Sequence, residues 1–142
     1  MTQIKINLSV LLIILLVTTC STFAQTKTAK KTSNMMVRIA EIEIDSNYLD
    51  EYIAILKEES EASVRLEAGV ICIYPMFKAE APTQIRLLEI YASKEDYEAH
   101  LKTPHFLEYK IATLKMVKDL KLIEMSAIDA QSMPMIFQKL NQ

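Results

Sequence analysis

The stretch "QIRLLEIYASKEDYEAHLKTPHF", residues 84–106, decides the fold because its apolar pattern changes from strand spacing to helix spacing. Residues 84–92 alternate like a strand, in which successive side chains point to opposite faces. One face carries Ile85, Leu87, Glu89 and Tyr91, and the other carries Arg86, Leu88 and Ile90. Both faces are largely apolar, so we expect both to be covered, one by helices and the other by a partner subunit.

Two helix starts follow this strand. Ser93 and Asp96 have the spacing of a capping pair, which predicts a short helix over 94–102. Thr103 caps a second helix, and Pro104 suits the first position of that helix because no N–H is needed there. The apolar stripe expected on the second helix consists of Leu107, Ile111, Leu114 and Val117.

The residues before this stretch predict a strand and then an amphipathic helix. The run over 35–44 is rich in β-branched residues and reads as a strand. Either Asp45 or Ser46 can cap the helix that follows, and Gly69 is expected to end it as a helix-stop or turn glycine. The apolar stripe expected on this helix consists of Leu49, Ile53, Leu56, Ser60 and Val64.

Two further strands complete the pattern. The run over 70–78 contains Pro75, which indicates either an edge position in a sheet or a bulge. "AEAPT", residues 79–83, reads as a turn, and the last strand is expected over 120–128. The resulting order β-α-β-β-α-β is the ferredoxin-like arrangement, an α+β fold with a four-stranded antiparallel sheet.

The amino-terminal segment, residues 1–24, has the pattern of a signal peptide. Its apolar core over 8–17 is about ten residues long, shorter than the roughly 20 that a membrane-spanning helix needs. Small residues before Gln25 predict cleavage after Ala24 and export to the periplasm or the medium. Lipid attachment at Cys20, in "LVTTC", is an open alternative that would tie the protein to a membrane, and an uncleaved anchor is the third possibility.

The rest of the chain divides into a flexible spacer over 25–34, a folded domain over 35–128 and a tail over 129–142. The tail is so apolar that we expect it to pack on the sheet edge or on a partner subunit. A formal net charge of −2 argues against a nucleic-acid partner, because such proteins carry concentrated basic surfaces. The single glycine, Gly69, excludes a glycine-rich phosphate loop. Cys72, alone in an apolar strand, reads as a buried hydrophobic residue.

The two histidines are the leading candidates for chemistry. Asp96 lies four residues before His100, so the carboxylate could fix the imidazole as a general base, with a surface pair as the alternative. His105 follows the helix restart at Pro104. The alternative to a chemical role is that His105 only packs at the helix start. On one continuous helix the two imidazoles would lie about 140° apart, and no third ligand has a familiar spacing. We therefore predict no metal site.

Glu89 is the candidate on the strands, since a charge between two apolar residues must find a partner or shift its pKa. Arg38 and Arg86 lie on predicted strands, although alternation puts Arg86 on the face opposite Glu89. An ion pair across the sheet or at a dimer interface is the structural alternative to a catalytic role. Tyr74 and Tyr91 place hydroxyl groups at the ends of adjacent strands, where simple core or rim packing is the alternative.

Three pieces of the chain resemble the antibiotic biosynthesis monooxygenase family, whose members include quinol monooxygenases. They are "RLEAGVICIYP" (65–75), "LLEIYASKEDYEAHLKTPHF" (87–106) and "LKLIEM" (120–125). The resemblance implies a dimeric α/β barrel in which two ferredoxin-like units pack sheet against sheet. Some members oxidise aromatic or quinol substrates with O₂ and without a metal, flavin or other cofactor.

The resemblance therefore implies an exported, cofactor-independent monooxygenase, a homodimer that oxidises a quinol or phenolic aromatic substrate. By this resemblance His100 is the base or a substrate contact, Tyr91 an orienting donor and Glu89 a third catalytic residue. His105 and Tyr74 would bind the substrate. The alternative is a non-enzymatic dimeric module of the same fold that binds a small ligand.

A related branch of the family degrades haem with an asparagine, a tryptophan and a histidine. The corresponding places in this chain hold Ile42, Tyr91 and Lys110, and the chain contains no tryptophan. These departures disfavour haem degradation.

Overall fold

The structure, a computed structural model, describes residues 34–129 and 131–139. The predicted signal peptide, Cys20 and the predicted spacer up to residue 33 lie outside the described residues. The elements in chain order are β1 (Met36–Ile44), a 3-10 turn (Ser46–Tyr48), α1 (Leu49–Leu66), β2 (Val70–Lys78), β3 (Ala81–Tyr91), α2 (Lys94–His100), α3 (Pro104–Thr113), β4 (Val117–Met125) and α4 (Ser132–Lys139). Within the described ranges, no helix is long and apolar enough to cross a membrane.

Four strands form one antiparallel sheet in the order β2-β3-β1-β4. β1 lies inside the sheet and pairs with β3 on one side and β4 on the other. This topology confirms the predicted ferredoxin-like α+β fold. β2 is an edge strand, as Pro75 indicated, because a residue without an N–H cannot complete a central ladder.

The hydrophobic core lies on one face of the sheet, where alternate strand residues meet α1. The predicted alternation of β3 is confirmed, since one buried face consists of Ile85, Leu87, Glu89 and Tyr91. In β1 the buried positions are Arg38, Ala40, Ile42 and Ile44. Tyr52 and Leu56 of α1 belong to the same cluster, so α1 is fixed against the centre of the sheet.

α1 begins later than predicted, and its buried stripe contains only two of the predicted residues, Leu56 and Ser60. Asp45 caps the 3-10 turn, because its carboxylate accepts the backbone N–H of Asn47 at 2.9 Å, and the α-helix begins at Leu49. The buried residues of α1 are Tyr52, Leu56, Glu59, Ser60 and Ser63. Val64, predicted to face the core, is 45% exposed. The prediction followed aliphatic residues, whereas the helix turns a tyrosine and several polar residues inward.

Pro104 begins α3 as predicted, but the expected apolar stripe of this helix does not face the core. Leu107, Ile111 and Leu114 are exposed, Ile111 at 76%. Val117, the last residue of that stripe, is the first residue of β4. The inward side of α3 therefore carries other residues, among them the buried Thr113 and the half-buried Tyr109.

Two local predictions around β2 are confirmed in part. Gly69 lies in the turn between α1 and β2, the second of its two predicted roles, and is not a helix stop, because α1 ends at Leu66 and no described residue has a positive φ. Gly69 also makes room for the Asp96 side chain, which a Cβ at this position would overlap. The turn expected over 79–83 is shorter, since β3 already begins at Ala81.

The sheet face turned away from α1 is apolar too, as the alternation in β3 predicted. It carries Val37 and Ile39 of β1, Leu88 and Ile90 of β3, and Ile123 and Met125 of β4. Ile123 and Met125 are exposed, as are most residues of α4 in the predicted tail. Position 130 and residues 140–142 of that tail lie outside the described residues.

Candidate active site

A cavity of about 390 Å³ lies between the sheet and the helices α1, α2 and α3. Much of its apolar wall comes from Ala40, Ile42, Ile73, Leu87, Leu120 and Leu122 on the strands. Its polar groups include Arg38, Glu59, Glu89, Tyr97, His100 and Tyr109. Leu120 and Leu122 are exposed, so the cavity opens beside the edge strand β4.

A buried ion pair forms one side of this cavity. Oε2 of Glu89 accepts hydrogen bonds from Nε of Arg38 at 2.8 Å and from Nη2 at 2.6 Å. The register of β1 and β3 places these two residues directly opposite each other. The hydroxyl of Tyr91 donates to the same oxygen at 3.4 Å. Arg38 is therefore the partner that Glu89 required, while Arg86 pairs with Glu41.

His100 is 2% exposed at the C-terminal end of α2, and its ring nitrogens face two carboxyl groups. Nδ1 lies 2.9 Å from Oε1 of Glu67, and Nε2 lies 3.8 Å from Oε1 of Glu59. The centre of the His100 ring also lies 4.7 Å from the centre of the Phe106 ring and 5.5 Å from the centre of the Tyr91 ring. The first nitrogen is hydrogen bonded and the second is not, so the ring is anchored through Nδ1.

Glu67, in the loop after α1, joins the two histidines. Its Oε1 also lies 2.6 Å from Nε2 of His105. An ionised carboxylate can only accept hydrogen bonds, so both facing nitrogens carry a hydrogen. When the ring of His100 is neutral, its lone pair is then on Nε2, which faces Glu59. This tautomer is the one that a base facing the cavity needs.

The predicted pair of Asp96 and His100 is not formed. The carboxylate of Asp96 accepts the Ser93 hydroxyl at 2.6 Å, and the Asp96 N–H donates to that hydroxyl oxygen at 3.1 Å. The capping pair is confirmed, but the carboxylate is used at the helix start. Glu67 takes the position beside His100 that was expected for Asp96.

One potential metal-ligand atom comes from each of Glu67, His100 and His105, and these three atoms lie within 4.8 Å of one another. A shared divalent cation would also permit this separation. The spacing along the chain predicted no third ligand, because Glu67 is 33 residues before His100. Both short distances are those of charge-assisted hydrogen bonds. One carboxylate oxygen that accepts from both rings therefore accounts for the geometry.

Glu59 is a buried carboxyl group, 5% exposed, in the wall of the cavity. Ser63 donates to its Oε1 at 2.8 Å, and Ser60 lies 3.5 Å from Oε2. Burial raises the pKa of Glu59 because the charged form loses its hydration, while the Ser63 hydrogen bond and the histidines oppose this shift. Glu59 can therefore hold a proton at a pH where an exposed glutamate is ionised.

The sequence profile described as antibiotic biosynthesis monooxygenase matches residues 35–110, more than half of the chain. The chain belongs to the antibiotic biosynthesis monooxygenase family. A crystal structure of a candidate antibiotic biosynthesis monooxygenase from Bacteroides thetaiotaomicron is 46% identical in sequence. The match covers 69% of this chain and 93% of that protein, with a TM-score of 0.68.

Two more distant structures share the fold of this monooxygenase-family chain. A candidate monooxygenase from Lactobacillus acidophilus is 27% identical over 66% of this chain and 44% of its own, with a TM-score of 0.64. A candidate antibiotic biosynthesis monooxygenase from Nitrosomonas europaea is 22% identical over 67% of this chain and 91% of its own, with a TM-score of 0.63. No curated protein matches the chain.

In this family member, buried tyrosines stay protonated near the cavity. The hydroxyls of Tyr52 and Tyr109 lie 2.6 Å apart. Burial raises the pKa of Tyr109 to about 12, and it raises the pKa of Tyr52 and Tyr91 as well. These hydroxyls can donate or accept hydrogen bonds, but they are too weakly acidic to act as anionic bases.

The predicted site residues of this family member fall into separate places. Glu89 and His100 line the cavity. Tyr91 and His105 lie behind them, Tyr91 in contact with Glu89 and His105 in contact with Glu67. Tyr74 is 59% exposed and pairs with Leu88, on the sheet face turned away from the cavity.

Two carboxyl groups of the site, Glu59 and Glu67, were missed in the sequence. Glu59 lies between Tyr52 and Ser63 in a stripe at helical spacing, but an acidic residue on an amphipathic helix usually faces solvent. The signal for Glu67 was its place two residues before Gly69 in "LEAG", within a piece that carries the family resemblance. Neither position predicts a contact with His100, because three separate elements have to meet.

Proposed function

We propose that the protein is a cofactor-independent monooxygenase that oxidises a phenolic or quinol-type aromatic substrate with O₂. The observation that carries this proposal is His100, which lines a cavity with a largely apolar wall, while Glu67 holds Nδ1 and leaves Nε2 beside Glu59. The cavity volume of about 390 Å³ suits an aromatic substrate, since a cavity of about 150 Å³ already accepts benzene.

In the proposed reaction, Nε2 of His100 removes the phenolic proton, and the resulting anion is the electron donor. One electron passes from the anion to O₂, and the two radicals combine at a ring carbon to form a peroxide. The peroxide loses water and leaves a quinone. The substrate gives up its O–H hydrogen and one ring C–H hydrogen, and both leave in the water molecule with one oxygen atom of O₂.

The protein's other groups would orient the substrate and exclude water. Glu89 is held by Arg38, and the guanidinium lies 4.3 Å from the centre of the Tyr97 ring. Both Arg38 and Glu89 line the cavity and present polar atoms to a ring substituent. Preorganised polar groups in a water-poor cavity stabilise developing charge better than water does, because they need no reorganisation.

We also propose a homodimer formed through the sheet face turned away from α1. This face carries apolar residues on neighbouring strands, among them Ile39, Leu88, Ile123 and Met125. Apolar surface of this kind is costly in water and favours association. The apolar tail that contains α4 is expected to pack on the sheet edge or on the partner.

Export is the third part of the proposal and depends on the pattern of residues 1–24. Intact-mass analysis of the protein isolated from the producing cell tests it. We expect a mature chain that begins at Gln25. A lipid-modified chain that begins at Cys20 would support the membrane-attached alternative, and an unprocessed chain would contradict both.

The central experiment measures O₂ uptake by the purified protein with a series of reduced quinones and phenols. We expect His100→Ala to lose about 100-fold or more of the rate, the usual contribution of a positioned base. Lys102→Ala, an exposed position two residues away, is the matched control and should keep the wild-type rate. Circular dichroism checks that both variants are folded.

A ligand-binding module is the alternative, and the same experiment separates it from an enzyme. If the wild-type protein binds phenols in calorimetry but consumes no O₂ with any of them, catalysis is excluded and the binding function remains. In that case His100→Ala should change the affinity little, because shape and apolar contact would dominate binding.

A further inference from the structure

Glu59 is a polar group of the cavity wall that the proposed base mechanism leaves without a role. It comes from α1, it is buried, and its Oε1 accepts the hydroxyl of Ser63 at 2.8 Å. The same oxygen lies 3.8 Å from Nε2 of His100. Burying a carboxyl group destabilises the folded state unless the group is hydrogen-bonded or neutral. The position of Glu59 beside the proposed base therefore calls for an explanation.

We propose that Glu59 and His100 act as one proton-holding pair, which takes the proton of the substrate hydroxyl and returns it to the oxygen atom that leaves as water. This inference rests on the proposed monooxygenase function. It adds Glu59 to the reaction and assigns the substrate hydroxyl a position between the two residues.

The proton balance of the reaction favours a group in the cavity that retains the proton taken from the substrate. A phenol and O₂ give a quinone and water without net uptake or release of protons. The proton that the base removes at the start is therefore needed again when the peroxide loses water. A buried pair that retains this proton avoids exchange with solvent through the cavity mouth beside β4.

The geometry of the pair fits a hydroxyl group placed between its members. The gap of 3.8 Å between Oε1 of Glu59 and Nε2 of His100 is too long for a direct hydrogen bond. An oxygen atom about 2.8 Å from both would bridge this gap with two ordinary hydrogen bonds. The opposite nitrogen of His100 is held by Glu67, so only Nε2 is available for this exchange.

The charged and titratable groups around the pair come from several elements. They include Arg38 of β1, Tyr52 of α1, Glu67 after α1, Glu89 and Tyr91 of β3, Tyr97 of α2, and His105 and Tyr109 of α3. Burial and the carboxylate of Glu89 raise the pKa of Glu59, while Ser63 and the imidazoles favour its charged form. These opposed influences suit a group that alternates between its protonated and ionised forms.

Glu59→Gln tests the proposal, because glutamine keeps the shape and can still accept from Ser63 but cannot take up a proton. Glu58→Gln, its exposed neighbour on α1, is the matched control. We expect quinone formation to fall by about 100-fold in Glu59→Gln. A larger share of the consumed O₂ should then appear as hydrogen peroxide. Wild-type rates and quinone yields in Glu59→Gln would overturn the proposal and leave the monooxygenase function intact.

Ser63→Ala provides a second variant in case Glu59→Gln folds poorly. Loss of the Ser63 donor disfavours the ionised form of Glu59, so the pH–rate profile should shift to higher pH.

In ¹³C-glutamate spectra of the protein without substrate, one carboxyl signal should titrate above the others. That signal should disappear in Glu59→Gln and persist in Glu58→Gln. If it persists in Glu59→Gln, or if Ser63→Ala leaves the profile unchanged, the pair is ruled out. A wild-type protein inactive towards every phenol contradicts the proposed function itself.

Discussion

Oε1 of Glu67 lies 2.9 Å from Nδ1 of His100, although Glu67 follows α1 and His100 ends α2. This contact holds the edge of the imidazole that points away from the cavity. Because a carboxylate only accepts hydrogen bonds, it also fixes which ring nitrogen keeps a lone pair. The same arrangement of carboxylate and imidazole orients the base in serine hydrolases, where loss of the carboxylate costs about 10⁴-fold in kcat.

Glu67→Gln should therefore lower kcat by about 100-fold or more. The glutamine amide can donate to Nδ1 and so favours the tautomer whose Nε2 carries the hydrogen. KM should change little, since Glu67 does not belong to the cavity lining. Steady-state O₂ uptake measures both constants, and ¹⁵N spectra of the imidazole rings report the tautomer directly.

The exposed Glu61→Gln on α1 serves as the control and should match the wild-type protein in both measurements. A Glu67→Gln protein that changes tautomer but keeps its kcat would show that Nε2 of His100 is not the base. A large rise in KM without a change in kcat would instead point to a role in substrate binding.

Local sequence signals predicted most of the fold. Alternation in β3 identified its two faces, Pro75 indicated the edge strand, and Ser93 with Asp96 marked the start of α2. Each of these signals depends on neighbours within a few residues. The inward stripe of α3 was predicted wrongly and that of α1 only in part, because aliphatic residues do not report which helix face the sheet will cover. Val64 and Ile111 are therefore exposed although they are apolar.

The buried ion pair between Arg38 and Glu89 supplies a prediction about stability. Arg38→Met should destabilise the fold by about 3–5 kcal/mol, because it leaves a buried carboxylate without its cation. The double variant Arg38→Met/Glu89→Leu should recover much of this loss, since neither charge remains. The free energy of unfolding in urea measures both effects.

Arg86→Met, which breaks the partly exposed pair with Glu41, is the matched control. It should cost only about 0–1 kcal/mol, as surface pairs usually do. Equal losses in Arg38→Met and Arg86→Met would contradict the assignment of Arg38 as the structural partner of Glu89.

Contacts between distant elements set the limit of what the sequence could predict about the site. Glu89 was recognised as a charge in need of a partner, but only the register of β1 against β3 selects Arg38. His100 was recognised as a base, but its carboxylate partner comes from the loop after α1 and not from Asp96. Helix periodicity favoured Asp96 because it considers one helix at a time.

The apolar sheet face leads to a prediction about assembly. The wild-type protein should sediment as a dimer, and Ile123→Glu should sediment as a monomer, because a charge on this face would be buried without a partner. Ile123 is exposed in the single chain, so the substitution should not disturb the fold. Ile128→Glu, at an exposed position beyond β4, should remain dimeric. A monomeric wild-type protein would refute the proposed interface.

The raised pKa of Glu59 predicts how stability depends on pH. In the folded protein this carboxyl keeps its proton above the ordinary value of 4.5, so the folded state binds more protons than the unfolded chain in that window. The contribution of Glu59 is fully present below 4.5 and is lost as pH rises through the folded-state pKa. Urea denaturation across this range should show a decline in the free energy of unfolding for the wild-type protein.

Glu59→Gln should remove that decline and Glu58→Gln should keep it, because only the buried carboxyl changes its proton affinity on folding. The same decline in Glu59→Gln would assign the effect to another group.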